Sequence, residues 1–291
     1  MQNSIFLIKI LNQDIIAAIA KQLHNGSIDP NSLKEHFGTE MDVYSTVNVF
    51  QGEDLFSKFP DAKAVEGQGK TVAGDTYVGV CPTHPGVRDF ALEKVRNLIA
   101  EGVRGIWLDH LRYPTIWESQ THEIFDTCYC DRCLKLFSEE IDESIDGATL
   151  EDKVLLIDGS FYIEWLDFKI GQINSLVKSI KDEIVKSGKD IKLGIFVVPW
   201  EEKDYGSGMK RLLGQDLISL SGVADVISPM LYYKEIGESP EWIKEKISYY
   251  WDLGISVVPA ISLANSSPDV LTELLNTMSV SASNGVIISR Y

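Results

Sequence analysis

Three of the chain's four cysteines stand close together in FDTCYCDRC (125–133). A CxCxxC spacing lets three thiolates converge on one ion, and a closed tetrahedral site needs a fourth ligand. Cys81 is the remaining cysteine. The expectation is therefore a structural zinc held by Cys81, Cys128, Cys130 and Cys133, with no position left for a reacting water. Free thiols, a disulfide, an iron–sulfur cluster, or three cysteines joined by His84 or His122 are the alternatives. No organic cofactor is expected.

A second grouping suits acid–base and nucleophilic work. In GIWLDHLRYP (105–114) an apolar run delivers Asp109 at its end, with Arg112 three positions later to hold the carboxylate ionised. A carboxylate that acts on a glycosidic bond needs a second one to protonate the leaving oxygen or activate water. Glu201 and Glu202 in VVPWEEKDYG (197–206) and Glu235 in PMLYYKEIG (229–237) are the candidates, and Glu201 ranks first because it is the first acid after its apolar run. Tyr113, Trp200, Tyr232 and Tyr233 offer faces for stacking on sugar rings. Asn48 and His110 add polar groups. Asn48, His110, Arg112, Tyr113, Trp200, Tyr232 and Glu235 form the expected substrate-binding set, with Asp109 and Glu201 as the catalytic pair.

Positioning these residues requires a scaffold, and the hydrophobic pattern predicts one. Runs rich in β-branched and aromatic residues recur at SIFLIKI (4–10), DVYSTVNVF (42–50), TYVGV (76–80), RGIWLD (104–109), IKLGIFVVP (191–199), ADVISPMLYY (224–233), GISVVPAISL (254–263) and GVIISRY (285–291). Several are continuously apolar, as parallel strands buried on both faces are. Helical periodicity separates them at 85–102, 161–186, 240–254 and 267–285, each bounded by Pro, Gly or both. Eight strands with crossover helices point to an α/β fold, a (β/α)8 TIM barrel forming one domain over 1–291, with an inserted Cys-rich segment at about 110–160 after the fourth strand, and a doubly wound open sheet is the alternative. The last run reaches the final residue, so the eighth helix is expected to be absent from this chain. In such a barrel, reactive residues sit at the C-terminal ends of strands. Asp109 would close the fourth strand, and Cys81 would close the third beside the insertion. The acidic stretch EEIDESIDGATLEDK (139–153) reads as a solvated helix end and loop.

Charge and hydropathy narrow the partners. The 43 acidic against 27 basic residues give a net charge of -16, which repels nucleic acid and anionic lipid. No run approaches the ~18 apolar residues of a membrane span, and the N-terminal MQNSIFLIKILNQDIIAAIA lacks a cleavage site. A cytoplasmic location is expected for the chain as it stands, and a secreted one if it is a piece of a longer protein. The expected partner is a carbohydrate, and oligomeric state is not legible.

CPTHPGVRDF (81–90), GIWLDHLRYP (105–114) and GQDLISLSGVADVISPMLYYKEIG (214–237) occur in an order that resembles the uncharacterised glycosyl hydrolase-like barrels of bacteria and archaea, distant relatives of the alpha-amylase and alpha-galactosidase groups. The resemblance spans about 77–237. It implies Asp109 as nucleophile, and likeness to amylase barrels implies Glu201 as acid. The cysteine pattern is similar to that of zinc-containing beta-galactosidases, where an upstream cysteine and a CxCxxC form a site beside the active centre. The expected activity is hydrolysis of O-glycosidic bonds in an oligo- or polysaccharide. VVPAISLANSS (257–267) offers none of the further acids that such barrels carry, which leaves a catalytically inactive carbohydrate-binding barrel as the alternative.

Overall fold

In the computed structural model, residues 4–8, 41–72, 79–262 and 285–289 are described. The apolar runs become strands β1 (Ser4–Ile8), β2 (Met41–Asn48) and β3 (Gly105–Asp109). A small hairpin of β4 (Thr115–Ile116) and β5 (Glu123–Ile124) follows. Strands β6 (Lys192–Val197), β7 (Val226–Pro229), β8 (Ala260–Ser262) and β9 (Val286–Ser289) complete the set among the described residues. Apart from the hairpin they form one sheet in the order β7-β6-β3-β2-β1-β9-β8. Every residue of β3 is buried, as its unbroken apolar run requires. Isolated parallel bridges pair Ile227 with Val257 and Met230 with Ala260, so the segments of the two end strands also contact one another.

Two expectations about the sheet are corrected. It is not wholly parallel, because β1 runs antiparallel to both β2 and β9. Nor does TYVGV supply a strand between DVYSTVNVF and RGIWLD. Strands β2 and β3 pair directly, from Ser45 opposite Ile106 to Asn48 opposite Asp109, and leave no place between them. Residues 76–78 lie outside the described set. Gly79 and Val80 instead make antiparallel bridges to Gln51 and Lys63, where the loop after β2 folds back. A β-branched run satisfies a loop ladder as readily as a sheet, so composition alone cannot separate the two. Asp109 therefore closes the third sheet strand in chain order.

The connections match their periodicity better. After α1 (Glu53–Lys58), helix α2 (Pro85–Glu101) opens on Pro85, with the His84 ring accepting from the Val87 amide at 3.2 Å, and closes on Gly102 at φ 78°. Beyond the hairpin the insertion holds α3 (Asp131–Ile141) and α4 (Leu150–Ser160), the latter started by a Thr149–Asp152 capping box. Helix α5 (Tyr162–Lys186) buries Ile173, Leu176, Val177, Ile180 and Ile184, and its Trp165 packs on Tyr129 and Phe137. The short α6 (Gly208–Arg211) and α7 (Leu217–Ser221) precede β7, and α8 (Pro240–Asp252) follows it. The helix expected over 267–285 lies outside the described residues but for its last position, as do Arg290 and Tyr291.

Trp107 ties the strands together. Its ring stacks on Tyr44 of β2 at 4.5 Å between centroids, and its indole N–H donates to Ser228 Oγ of β7 at 3.0 Å. Gly194 of β6 lies against the same ring, and a Cβ there would come within 2.1 Å of it. Glycine at 194 is thus required by close approach. Gly194→Ala is expected to displace the indole and cost about 1–3 kcal/mol by overpacking, read as a lower urea midpoint; an unchanged midpoint contradicts this packing.

Candidate active site and metal centre

The register that sets Asn48 opposite Asp109 brings two predicted residues side by side at the strand ends. The chain then turns at His110, a non-glycine residue with φ 51°. The turn lets Asp109 Oδ1 accept from the His110 amide at 2.7 Å and approach His110 Nδ1 at 3.3 Å. The same ring nitrogen lies 3.3 Å from Asn48 Oδ1. Burial pushes the Asp109 carboxyl up, but His110 and Arg112 outweigh it and hold the group below its ordinary value. Asp109 is accordingly ionised at neutral pH, the state a nucleophile or electrostatic stabiliser needs. Arg112 is itself buried and donates to Glu118 Oε1 at 3.0 Å, while Glu118 Oε2 accepts from the Trp117 amide at 3.2 Å. Glu118 was not among the expected site residues; its one sequence signal is an acid six positions after Arg112.

Trp117 leads into a cleft of about 560 Å3 between the loops after β3, β6 and β7. Its walls include Trp117, Trp200, Tyr205 and Trp242. Trp117 stacks on Tyr232 at 5.8 Å, and Trp200 packs on Tyr205 at 4.5 Å. The Trp117 indole nitrogen is buried and has no hydrogen-bond partner among the described residues. Trp117 and Trp200 are buried behind the surface, and the exposed Tyr205 and half-buried Trp242 are the rings that suit the apolar face of a pyranose.

Glu201 also lines this cleft, but its chemistry differs from the expectation. Lys246 Nζ bonds Oε1 at 2.9 Å and Lys203 Nζ meets Oε2 at 2.9 Å. Hydrogen bonding from Lys246, aided by Lys203, lowers its pKa. A general acid needs the opposite shift. Glu235 is half-buried, and its Oε1 is out of solvent with no partner among the described residues. Glu202 is exposed beside Lys210 at 3.5 Å. Tyr113 is fully buried beneath the Lys169 ammonium, 4.4 Å from its ring centre, and so offers no face to a ligand. Trp200, Tyr232 and Tyr233 are largely covered by their neighbours.

The four cysteines do converge. Their sulfurs lie within 4.8 Å of one another, with Cys81 3.4 Å from Cys133 and 3.7 Å from Cys130. A tetrahedron with metal–sulfur bonds of ~2.3 Å has edges of about 3.8 Å. The spacings match that figure and far exceed a disulfide of ~2.05 Å. Cys81 reaches the cluster from a loop rather than a strand end, its amide bonded to Ala62 O at 2.7 Å. Around the sulfurs, the Val65 amide donates to Cys128 at 3.4 Å, and Thr83 Oγ1 lies 3.1 Å from Cys81 and 3.3 Å from Cys133. Such outer partners stabilise thiolate charge. Hydrogen bonds from Cys128 and the other two thiols hold Cys130 well below the ordinary thiol range. The histidine alternatives fall away: His84 caps α2 and faces Asp61 at 3.2 Å, and His122 contacts the Tyr205 hydroxyl. The donor set fits a closed metal site.

No protein-family model and no curated protein matches the sequence. Solved structures do match the fold. The PgaB (BpsB) glycoside hydrolase domain from Bordetella bronchiseptica aligns at TM-score 0.61 and 13% identity over 90% of this chain and 73% of its own. The catalytic domain of beta-amylase from Paenibacillus polymyxa aligns at 0.60 and 10% identity, over 97% and 90%. A beta-galactosidase from Bacillus circulans sp. alkalophilus aligns at 0.56 and 15% identity over 81% of this chain and only 38% of that enzyme. The chain thus shares the α/β fold of glycoside hydrolase domains. No described helix is long and apolar enough to cross a membrane.

Glu201→Gln provides a test of the ion pair. It leaves the buried Lys246 ammonium with Asp204, at 3.8 Å, as its remaining carboxylate among the described residues, and should cost about 1–3 kcal/mol in urea denaturation. Because the folded-state pKa of Glu201 is lowered, the stabilisation is present above the ordinary glutamate value and is lost as pH falls through the lowered one. A variant as stable as the parent at neutral pH would show that the pair carries nothing.

Proposed function

We propose that this protein is a glycoside hydrolase acting on O-glycosidic bonds of an oligo- or polysaccharide, built on a barrel closed through the contacts of β7 with β8. The observation that carries this reading is an ionised, buried Asp109 at a strand end, linked through Arg112 and Glu118 to an aromatic cleft. Asp109 serves as nucleophile. His110 fixes its carboxylate and Asn48 meets the His110 ring, so little reorganisation is needed when charge develops on the sugar. Glu235 replaces Glu201 as the proposed acid, since its Oε1 is free of the lysine partners that hold Glu201. Tyr205 and Trp242, which keep exposed surface in the cleft, stack the sugars, with the buried Trp117 and Trp200 packed behind them. The metal at Cys81, Cys128, Cys130 and Cys133 is proposed to be zinc; with four protein ligands it supplies structure and no reacting water.

A second reading, a carbohydrate-binding barrel without catalysis, is favoured by the neutralisation of Glu201 by two lysines. A panel of 4-nitrophenyl glycosides separates the two. The wild type should turn over at least one, and Asp109→Asn should lower kcat about 1,000-fold or more with unchanged circular dichroism. Turnover that survives in Asp109→Asn sinks the nucleophile assignment. Saturable binding of a glycoside without turnover by the wild type supports the binding barrel.

Metal analysis of the purified chain should find one zinc per molecule, and Cys133→Ser should lose it. Retention of a full equivalent in that variant would contradict the four-thiolate site.

A further inference from the structure

A buried cation joins the metal loop to the wall of the cleft. Lys169, in the apolar stripe of α5, has no exposed surface. Its ammonium donates to the carbonyl of Thr127, the residue before Cys128, and to the carbonyl of Arg211 in α6 at 2.6 Å. The Arg211 guanidinium returns to the metal loop, bonding Asp126 Oδ2 at 2.6 Å. It also reaches the carbonyl of Tyr205 at 3.4 Å. Lys169 and Arg211 thus clamp two consecutive residues of the cysteine loop onto the segment that forms the cleft.

The far end of that segment is strained. Tyr205, Gly206 and Ser207 adopt φ of 52°, 58° and 60°, three left-handed residues in succession, two of them carrying a Cβ. In a non-glycine residue that conformation presses Cβ against the following carbonyl oxygen, and such a turn persists only where its surroundings enforce it. The Lys210 and Arg211 amides bond Ser207 O at 3.0 and 2.9 Å and His122 meets the Tyr205 hydroxyl, while the Arg211 guanidinium is the side chain that ties the Tyr205 carbonyl to the cysteine loop. The product is the position of Tyr205 against Trp200 and His122.

We propose that metal binding at the four cysteines sets the aromatic cleft, with Lys169 and Arg211 as positioning residues that carry the coupling to the Tyr205 turn. The inference rests on the metal reading above and is independent of whether the cleft hydrolyses what it binds. With the ion in place, Cys128 fixes Thr127 and Asp126, and through them Arg211. Without it the loop is released, Arg211 loses its anchor, and the left-handed turn relaxes. By reciprocity, a ligand that packs on Tyr205 tightens the hold on the metal.

Hydrogen exchange on the full chain tests this, after metal content has been measured. Stripping zinc with EDTA should raise exchange at amides 203–208 by about tenfold or more while the α5 amides 173–180 keep their protection. Arg211→Met should show the same local increase with its zinc still bound, and Arg211→Lys should restore part of the protection. Unchanged exchange at 203–208 in the zinc-loaded Arg211→Met variant overturns the proposal. So does stripped wild type that retains full protection there. If EDTA unfolds the whole chain, the loaded variant alone decides. A chain that binds no zinc fails at the first measurement, which separates loss of the metal reading from loss of the coupling.

Discussion

The packing of the Trp107 indole over Gly194 is the constraint on which the rest depends. It lets one large ring lie across β2, β3, β6 and β7, with Tyr44 stacked on it and Ser228 taking its N–H. Side chains two residues apart in a strand share a face. Asp109 therefore points to the same side as Trp107, one step nearer the strand end. The fully buried indole fixes the register of β3 against its neighbours, and that register sets the carboxylate beside Asn48.

Electrostatics then divides the acids by environment. Asp109 loses solvation but gains His110 and Arg112, so it stays charged inside a mostly dry site. Arg112 is buried too, and a buried guanidinium is tolerated because carboxylates surround it, Glu118 by direct contact. Glu201 stands in the cleft but spends its charge on Lys246 and Lys203. The cysteine loop completes the design: clustered sulfurs, buried lysine and guanidinium interlock between α3, α5 and α6.

Much of this was legible in the chain. Continuous apolar runs announced β3 and β6, Pro and Gly marked the ends of α2, and the cysteine spacing announced the four-thiol cluster with Cys81 as its distant member. What escaped depends on tertiary partners. The lysines that neutralise Glu201 include Lys246, 45 positions away. Tyr113 looked like a rim aromatic and is buried under Lys169, a lysine that lies in the buried stripe of α5 although its charge argued for solvent. TYVGV has strand composition, yet β2 and β3 meet without it. Glu118 sits in an insertion whose hairpin is too short to show as a pattern.

The account stands on Asp109 being charged in spite of its burial. Carbon NMR of the Asp109 carboxyl across an acid titration measures that state directly. A midpoint below the ordinary aspartate range is predicted, because His110 and Arg112 outweigh desolvation. A midpoint above that range would mean that burial wins and that Asp109 cannot be the resting nucleophile.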